Sequence, residues 1–253
     1  SSRPGKKRCL LVQLTNLPTF LIVLAAGLYR IVRRLKFRAA EPRSCFLMAD
    51  YIGDAAALEV YRAAVENGTV VLVARNVGQN LLDAVVGTPL IQRHDGIFSL
   101  KQFREAAFEQ LSDSFRIFRH LGWLGPLEFY NAATFPPKKL EARALLNRFR
   151  PNFFYARDCY NYDHILMHAE LKRVGAVHLG INVGYPTYTI LPATTRYIHF
   201  DKFMVFGAGV YRDYYKNKWP DDMEIVSVGS FRAPREVFCN RAPVGTDVIP
   251  IFS

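Results

Sequence analysis

The chain has 253 residues, half of them hydrophobic, and a net charge of +11. That composition excludes a disordered or collagen-like polymer and is long enough to bury a sizeable core. Residues 1–43 hold ten Lys and Arg against Glu41 alone, while the other 210 hold 23 basic and 21 acidic residues. The body is therefore almost neutral, which argues against nucleic-acid binding and for a basic tail that meets a membrane or another polyanion.

In chain order, residues 9–29 carry no charge and are flanked by Lys6, Lys7 and Arg8 before and by Arg30, Arg33, Arg34 and Lys36 after. A membrane span needs about 20 mainly apolar residues. Gln13, Thr15, Asn16 and Pro18 weaken this one, and its densest part, residues 17–28, is too short to span alone. A monotopic helix with its basic flank on anionic headgroups fits best. A soluble helix packed on the body and a signal peptide are the other two readings.

Residues 41–44, with Pro42, read as a linker. Residues 45–49 form a short buried-strand pattern, 55–67 a helix stopped by Asn67-Gly68, and 69–74 a second strand. Strand, helix and strand within this length predict a βαβ unit and hence a parallel sheet. Residues 85–92 are a candidate third strand. Leu100, Phe103, Ala107, Leu111, Phe115 and Phe118 repeat at helical spacing, so 99–118 reads as an amphipathic helix. The Gly-, Pro- and aromatic-rich stretch 122–137 reads as a loop or irregular insertion, followed by a helix over 138–149 that ends before Pro151. Strands are expected at 152–156, 176–179, 203–206, 224–228 and 248–252, with helices at 162–173 and 207–216. The fold class is thus α/β, a Rossmann-like parallel sheet with helices on both faces, preceded by a hydrophobic and basic helix. The expected domains are a membrane-associating segment 1–43, a Rossmann-like domain 44–232, and a linker with a further strand at 233–253.

Ligands of an open parallel sheet bind outside the carboxyl ends of its strands. The polar residues expected there are Asp50 and Asp54 after the first strand, Arg75 and Asn76 after the second, and Arg157 and Asp158 after 152–156. His178 stands at the end of the 176–179 run and Asn182 follows it, and Ser230 and Arg232 follow 224–228. A strand-end His serves as a general base near neutral pH, a carboxylate does so when burial raises its pKa, and Arg holds anionic groups. The plainer alternatives are a hydrogen-bonded structural His178 and helix-capping roles for Asp50 and Asp54. His164 and His168 are four apart on one helix face but lack the Glu of a zinc-protease motif, so no metal is expected. His94-Asp95-Gly96 is most simply a turn. Cys9, Cys45, Cys159 and Cys239 form no CxxC pair and read as reduced cytosolic thiols. Serine-hydrolase elbows, Walker loops, dinucleotide fingerprints and kinase motifs are all missing from the sequence.

Lys172-Arg173-Val174-Gly175-Ala176-Val177-His178-Leu179-Gly180 resembles the segment in which bacterial surface-polysaccharide glycosyltransferases of the GT-B kind, and CDP-glycerol glycerophosphotransferases, carry a His-Gly loop after a strand. That dipeptide stands here as His178-Leu179-Gly180. Residues 196–201 with Val205-Phe206-Gly207, and then 225–232 with Gly229-Ser230, resemble the later strands of the same N-terminal domain, in the same order. The resemblance covers about a third of the chain. It implies the acceptor-binding half of an inverting, metal-independent transferase in surface-polysaccharide biosynthesis, with a second, donor-binding domain expected to begin near residue 248. On this reading His178 is the catalytic base or a ligand of the substrate's phosphate or hydroxyl, with Asp50 or Asp158 as the substitute base. Asp54, Arg75, Asn76, Arg157, Asn182, Ser230 and Arg232 bind substrate. No cofactor is implied beyond a nucleotide-sugar or CDP-glycerol-like donor. The acceptor is a saccharide or lipid-linked hydroxyl, and the location is the cytoplasmic face of the cell membrane. The competing expectation is a non-catalytic Rossmann-like module that binds a sugar or nucleotide and docks on a membrane partner.

Overall fold

Short apolar runs make the strands, and the order in which they pair determines where a ligand can sit. A computed structural model describes residues 6–38, 41–50, 55–73, 87–91, 96–120, 126–156, 163–181, 198–205, 207 and 219–228. Its elements are α1 (Lys6–Arg34), β1 (Lys36–Phe37), β2 (Arg43–Ala49), α2 (Ala55–Asn67), β3 (Val70–Val73), β4 (Leu90–Ile91), β5 (Ile97–Phe98), α3 (Leu100–His120), α4 (Pro126–Arg148), β6 (Phe149–Ala156), α5 (Asp163–Val174), β7 (Val177–Ile181), β8 (Lys202–Val205) and β9 (Glu224–Ser227). Seven strands form one sheet in the order β4-β3-β2-β6-β7-β8-β9, and all its pairings are parallel. β1 and β5 form a separate parallel pair.

A parallel sheet is covered on both faces, so its strands are apolar on both sides. All four residues of β3 are buried. Met48, Val71, Val73, Phe154 and Phe203 pack on one face with Leu145 and Leu146 of α4 and Leu171 of α5. Their neighbours in sequence, Leu47, Leu72 and Tyr155, pack on the other with Leu58 and Tyr61 of α2. The protein is thus mixed α/β, with a Rossmann-like parallel sheet flanked by helices.

Local signals account for the element ends. Ser99 and Gln102 form a reciprocal capping box at the start of α3, with backbone-to-side-chain distances of 3.1 and 3.2 Å. At the end of α5 the Ala176 N–H donates to the Leu171 carbonyl at 3.0 Å and the Gly175 N–H to that of Lys172 at 3.2 Å. Gly175 has φ +76°, a left-handed value that suits glycine. The chain therefore reverses sharply into β7.

Two expectations are corrected. The stretch 122–137 is not irregular: from Pro126 it belongs to α4, which runs through Pro136 and Pro137 to Arg148. Proline removes a helix donor and normally ends the element. Here packing outweighs that loss. Phe129, Ala132 and Ala133 are buried under Phe20 and Leu24 of α1, and a Cβ on Gly27 would stand 2.7 Å from Pro137 Cγ, so α1 approaches at the prolines. Strand β6 also begins at Phe149 rather than residue 152, taking Pro151 into its pairing with Cys45. β2 begins at Arg43, and α1 packs on α4 and α3. The expected helix at 207–216 and the segment 233–253 lie outside the described residues, apart from Gly207.

Arg143 of α4 ties three helices together. Its guanidinium donates to both oxygens of Glu109 on α3, at 2.6 and 3.0 Å, and to both oxygens of Glu170 on α5, at 2.9 and 2.8 Å. Glu170 is almost wholly buried. Replacing Arg143 by Ala leaves that carboxylate, among the described residues, with Arg173 as its ion-pair partner. We expect a loss of about 3 kcal/mol in a urea melt, in the range for breaking a buried pair.

Candidate functional site

The sheet grows in two directions from its middle. The chain passes from β2 to β3 and β4 on one side, and from β6 to β7, β8 and β9 on the other. β2 and β6 are neighbours whose onward connections diverge, and in open parallel sheets such a reversal is where ligands bind, outside the carboxyl ends of the strands. Asp50 directly follows β2, and its N–H donates to the Tyr155 carbonyl of β6 at 3.0 Å. That bond extends the β2–β6 pairing one residue past the strand and fixes Asp50 at the carboxyl edge of the sheet, at the reversal of strand order.

Of the ten candidate residues, the structure places Asp50 and His178. In sequence, Arg157 and Asp158 follow the last residue of β6, Ala156. Arg75 and Asn76 come two and three residues after β3, Asn182 immediately after β7, and Ser230 and Arg232 soon after β9. These seven and Asp54 lie outside the described residues.

His178 is not at a strand end. Strand β7 runs through Gly180 to Ile181, and His178 is its second residue, paired in register with Phe154 of β6. It stands three residues before the carboxyl edge, about 10 Å at the usual strand rise. Its side chain is 0% exposed, with its ring centroid 4.4 Å from that of Phe200 and 5.6 Å from those of Phe154 and His168. Gly180, just past the expected strand 176–179, lies within the strand, and the Phe200 ring lies over it. A Cβ at Gly180 would stand 2.6 Å from two carbons of that ring.

The residues missed from sequence are His199 and Asp201. With His164 and His168 they surround His178, so four of the six histidines gather beneath α5. The His164 ring stacks on Phe200 at 5.1 Å and 11°, and His168 stacks on His199 at 4.0 Å and 24°. The His199 Nε2 lies 3.3 Å from the Asp222 carboxylate. Asp201 accepts the His178 N–H at 2.7 Å, returns its own N–H to the His178 carbonyl at 3.0 Å, and pairs with Lys172 of α5 at 2.5 Å. The i, i+4 pair of histidines was a legible signal. Its partners were not, because only the β7–β8 pairing brings residues near 200 alongside.

This cluster favours neutral imidazoles. Burial, then the neighbouring His168, His164 and His199, hold His178 well below the usual histidine range. Burial, then His199, lowers His168 to about 4. Among the described residues neither ring nitrogen of His178 has a hydrogen-bond partner. Burial works against the charge on Asp201, but the His178 N–H and the Lys172 ammonium outweigh it and keep its carboxyl below the usual range. Ring nitrogens lie in the plane of their ring, so stacked histidines do not aim at a common point. Accordingly, no three His, Cys, Asp or Glu are arranged for a metal ion among the described residues. Cys45 is a buried free thiol, pushed up to about 11 by burial. Comparison with family models, curated proteins and solved structures finds no match to this chain.

Two measurements follow. Because His178 and His168 bind protons less readily folded than unfolded, stability is full above the ordinary histidine pKa of 6.5 and falls with pH from there toward about 4. Thermal melts from pH 8 down to 4.5 should show this loss, and His178→Leu should flatten it. An unchanged pH dependence in the variant would remove His178 as its source. Gly180→Ala should cost about 1–3 kcal/mol by overpacking against Phe200, read as a lower melting temperature at pH 8.

Proposed function

We propose that this chain is the acceptor-binding half of a group transferase of the GT-B kind, a glycosyltransferase or glycerophosphotransferase-like enzyme of surface-polysaccharide biosynthesis. The observation that supports it best is the strand order, which reverses between β2 and β6 with Asp50 directly after β2, since ligands of open parallel sheets bind at such a reversal. The order of the resembling segments along the chain supports the same reading.

In this scheme Asp50 takes the role first expected of His178, with Asp158 as the other carboxylate near that reversal in sequence. The base accepts the proton of an acceptor hydroxyl as its oxygen attacks the anomeric carbon of a nucleotide sugar. The new carbon–oxygen bond forms as the bond to the nucleoside diphosphate breaks, and the diphosphate leaves with the electron pair. With a CDP-glycerol-like donor the attack is on phosphorus and CMP leaves. A carboxylate closed into a crevice by bound substrate gains basicity through desolvation. Arg75 and Arg157 supply positive charge for the phosphates. The helix α1, long and apolar enough to cross a membrane by length and composition, holds the protein at the cytoplasmic face of the membrane beside lipid-linked acceptors.

The test is transfer of label from a panel of nucleotide sugars and CDP-glycerol to a bacterial lipid extract, assayed with the full-length enzyme so that a donor-binding domain is present. Asp50→Asn should lower turnover about 10²–10⁴-fold, the usual contribution of a general base, with the melting temperature preserved. Undiminished turnover would remove Asp50 from the chemistry. Donor binding without any turnover in the unmodified protein would favour the non-catalytic sugar- or nucleotide-binding module.

A further inference from the structure

We propose that α1 and α3 together form a two-helix docking face that lies in the plane of an anionic bilayer surface. This rests on the membrane attachment proposed above and deepens it, since it adds a second helix and an orientation.

The two helices are antiparallel neighbours on top of α4. Near one end Gln13 of α1 donates to the Arg119 carbonyl of α3 at 2.8 Å, and the Phe20 and Phe118 rings are 5.1 Å apart. Near the other end Ile31 and Leu35 share a cluster with Phe103. The inward face of α1 is therefore committed to the protein, through Phe20, Leu24, Ile31 and Leu35. Its outward face is apolar as well: Leu11, Leu14, Leu21 and Ile22 are more than half exposed. A helix that is apolar all round is a buried helix, and here nothing in the chain's described residues covers its second side.

Helix α3 shows the same exposure in sharper form. The side it buries against α4 presents Ala106, Gln110 and Ser114, while Phe108 is 77% exposed and Phe115 64%, with Leu100 and Leu111 on the same outward stripe. An amphipathic helix serving only the core would face the other way. Phe103 and Phe118, which touch α1, lie within a turn of Leu100 and Phe115, so the exposed stripe adjoins α1. Together the two helices present one apolar surface.

Three observations select a bilayer as the occupant. First, positive charge sits at both ends of the surface and not in its middle. Arg30, Arg33 and Arg34 end α1 beside Lys101 and Arg104 of α3, while Lys6, Lys7 and Arg8 open α1 at the end where Arg116 and Arg119 close α3. This is the pattern of an interfacial element that meets anionic headgroups around an apolar strip. Second, the polar side chains that counted against α1 are satisfied within the protein. Thr15 Oγ1 donates to the Leu11 carbonyl and Asn16 Nδ2 to that of Val12, each at 2.9 Å, and Gln13 bonds α3. Such polar groups tolerate contact with lipid. Third, spanning would strip Phe20 and Leu24 from Phe129 of α4, so the helix lies flat.

Flotation of the full chain with vesicles of phosphatidylcholine, alone or mixed with phosphatidylglycerol, tests this. The unmodified protein should float with the anionic vesicles. Leu14→Glu with Ile22→Glu, and separately Phe108→Glu with Phe115→Glu, should each weaken partitioning about tenfold or more. Arg30, Arg33 and Arg34 changed together to Gln should lose only the preference for anionic lipid, as high salt should too. Phe115→Trp, a conservative probe, should add a fluorescence component quenched by brominated phosphatidylcholine. Full vesicle binding by the α3 double variant, or an unquenched Trp in bound protein, would overturn the role of α3. Failure to float combined with concentration-dependent dimerisation would overturn the proposal in favour of a second copy on this face. Loss of vesicle binding with transfer retained on a detergent-dispersed acceptor would sink this inference and leave the transferase reading standing.

Discussion

The constraint on which the rest depends is that α4 is apolar on more than one side. Leu145 and Leu146 face the sheet and Phe129, Ala132 and Ala133 face away from it, so the helix can exist only between two layers. The sheet supplies one layer, and α1 with α3 supplies the other. This explains why prolines at 136 and 137 do not end the helix: burial along both sides exceeds the loss of two backbone donors, a cost of about 3 kcal/mol for each proline in a helix interior. It also moves the problem of uncovered apolar surface outward by one layer, to the far sides of α1 and α3.

The two edges of the sheet have different chemistry, and that difference reorders the candidate residues. At the carboxyl edge the strand order reverses, with Asp50 held by a backbone bond to β6. Toward the amino edge, Asp201 joins β7 to α5 and supports a packed group of neutral histidines. His178 belongs to the second region. Its backbone is engaged in both directions by Asp201, and its ring is enclosed by Phe154, Phe200 and His168. A group so enclosed acts on the stability of the sheet. The glycine two residues on has an equally structural reason, since Phe200 occupies the space a side chain would need.

The elements legible in the sequence were those whose own residues bury them. Helix α2 was expected with its observed limits, and β2, β3, α3, α5, β8 and β9 within two residues, because periodicity or a dense apolar run records their burial directly. What escaped were features decided by a partner distant in sequence. The two-residue strands β1 and β5 exist only as a pair. The continuity of α4 depends on α1, and the inward position of His178 depends on Phe200 and Asp201. At the candidate site, the placement of Asp50 after a strand was legible. That β2 and β6 are neighbours was not, because adjacency at the reversal is a property of the whole sheet.

The Glu109–Arg143–Glu170 network links these layers more specifically than apolar packing does. Apolar contacts let helices slide with small penalties, whereas a guanidinium held by two carboxylates on different helices accepts few arrangements. Taking these charges out of water opposes folding, and the attraction between them offsets that opposition only when the geometry is met. The Arg143 hydrogen bond dominates the environment of Glu109 and keeps its carboxyl ionised down to about 2, so the link persists through the acid range in which the histidine group begins to take up protons. The outer helices thus hold their orientation relative to α5 and the sheet.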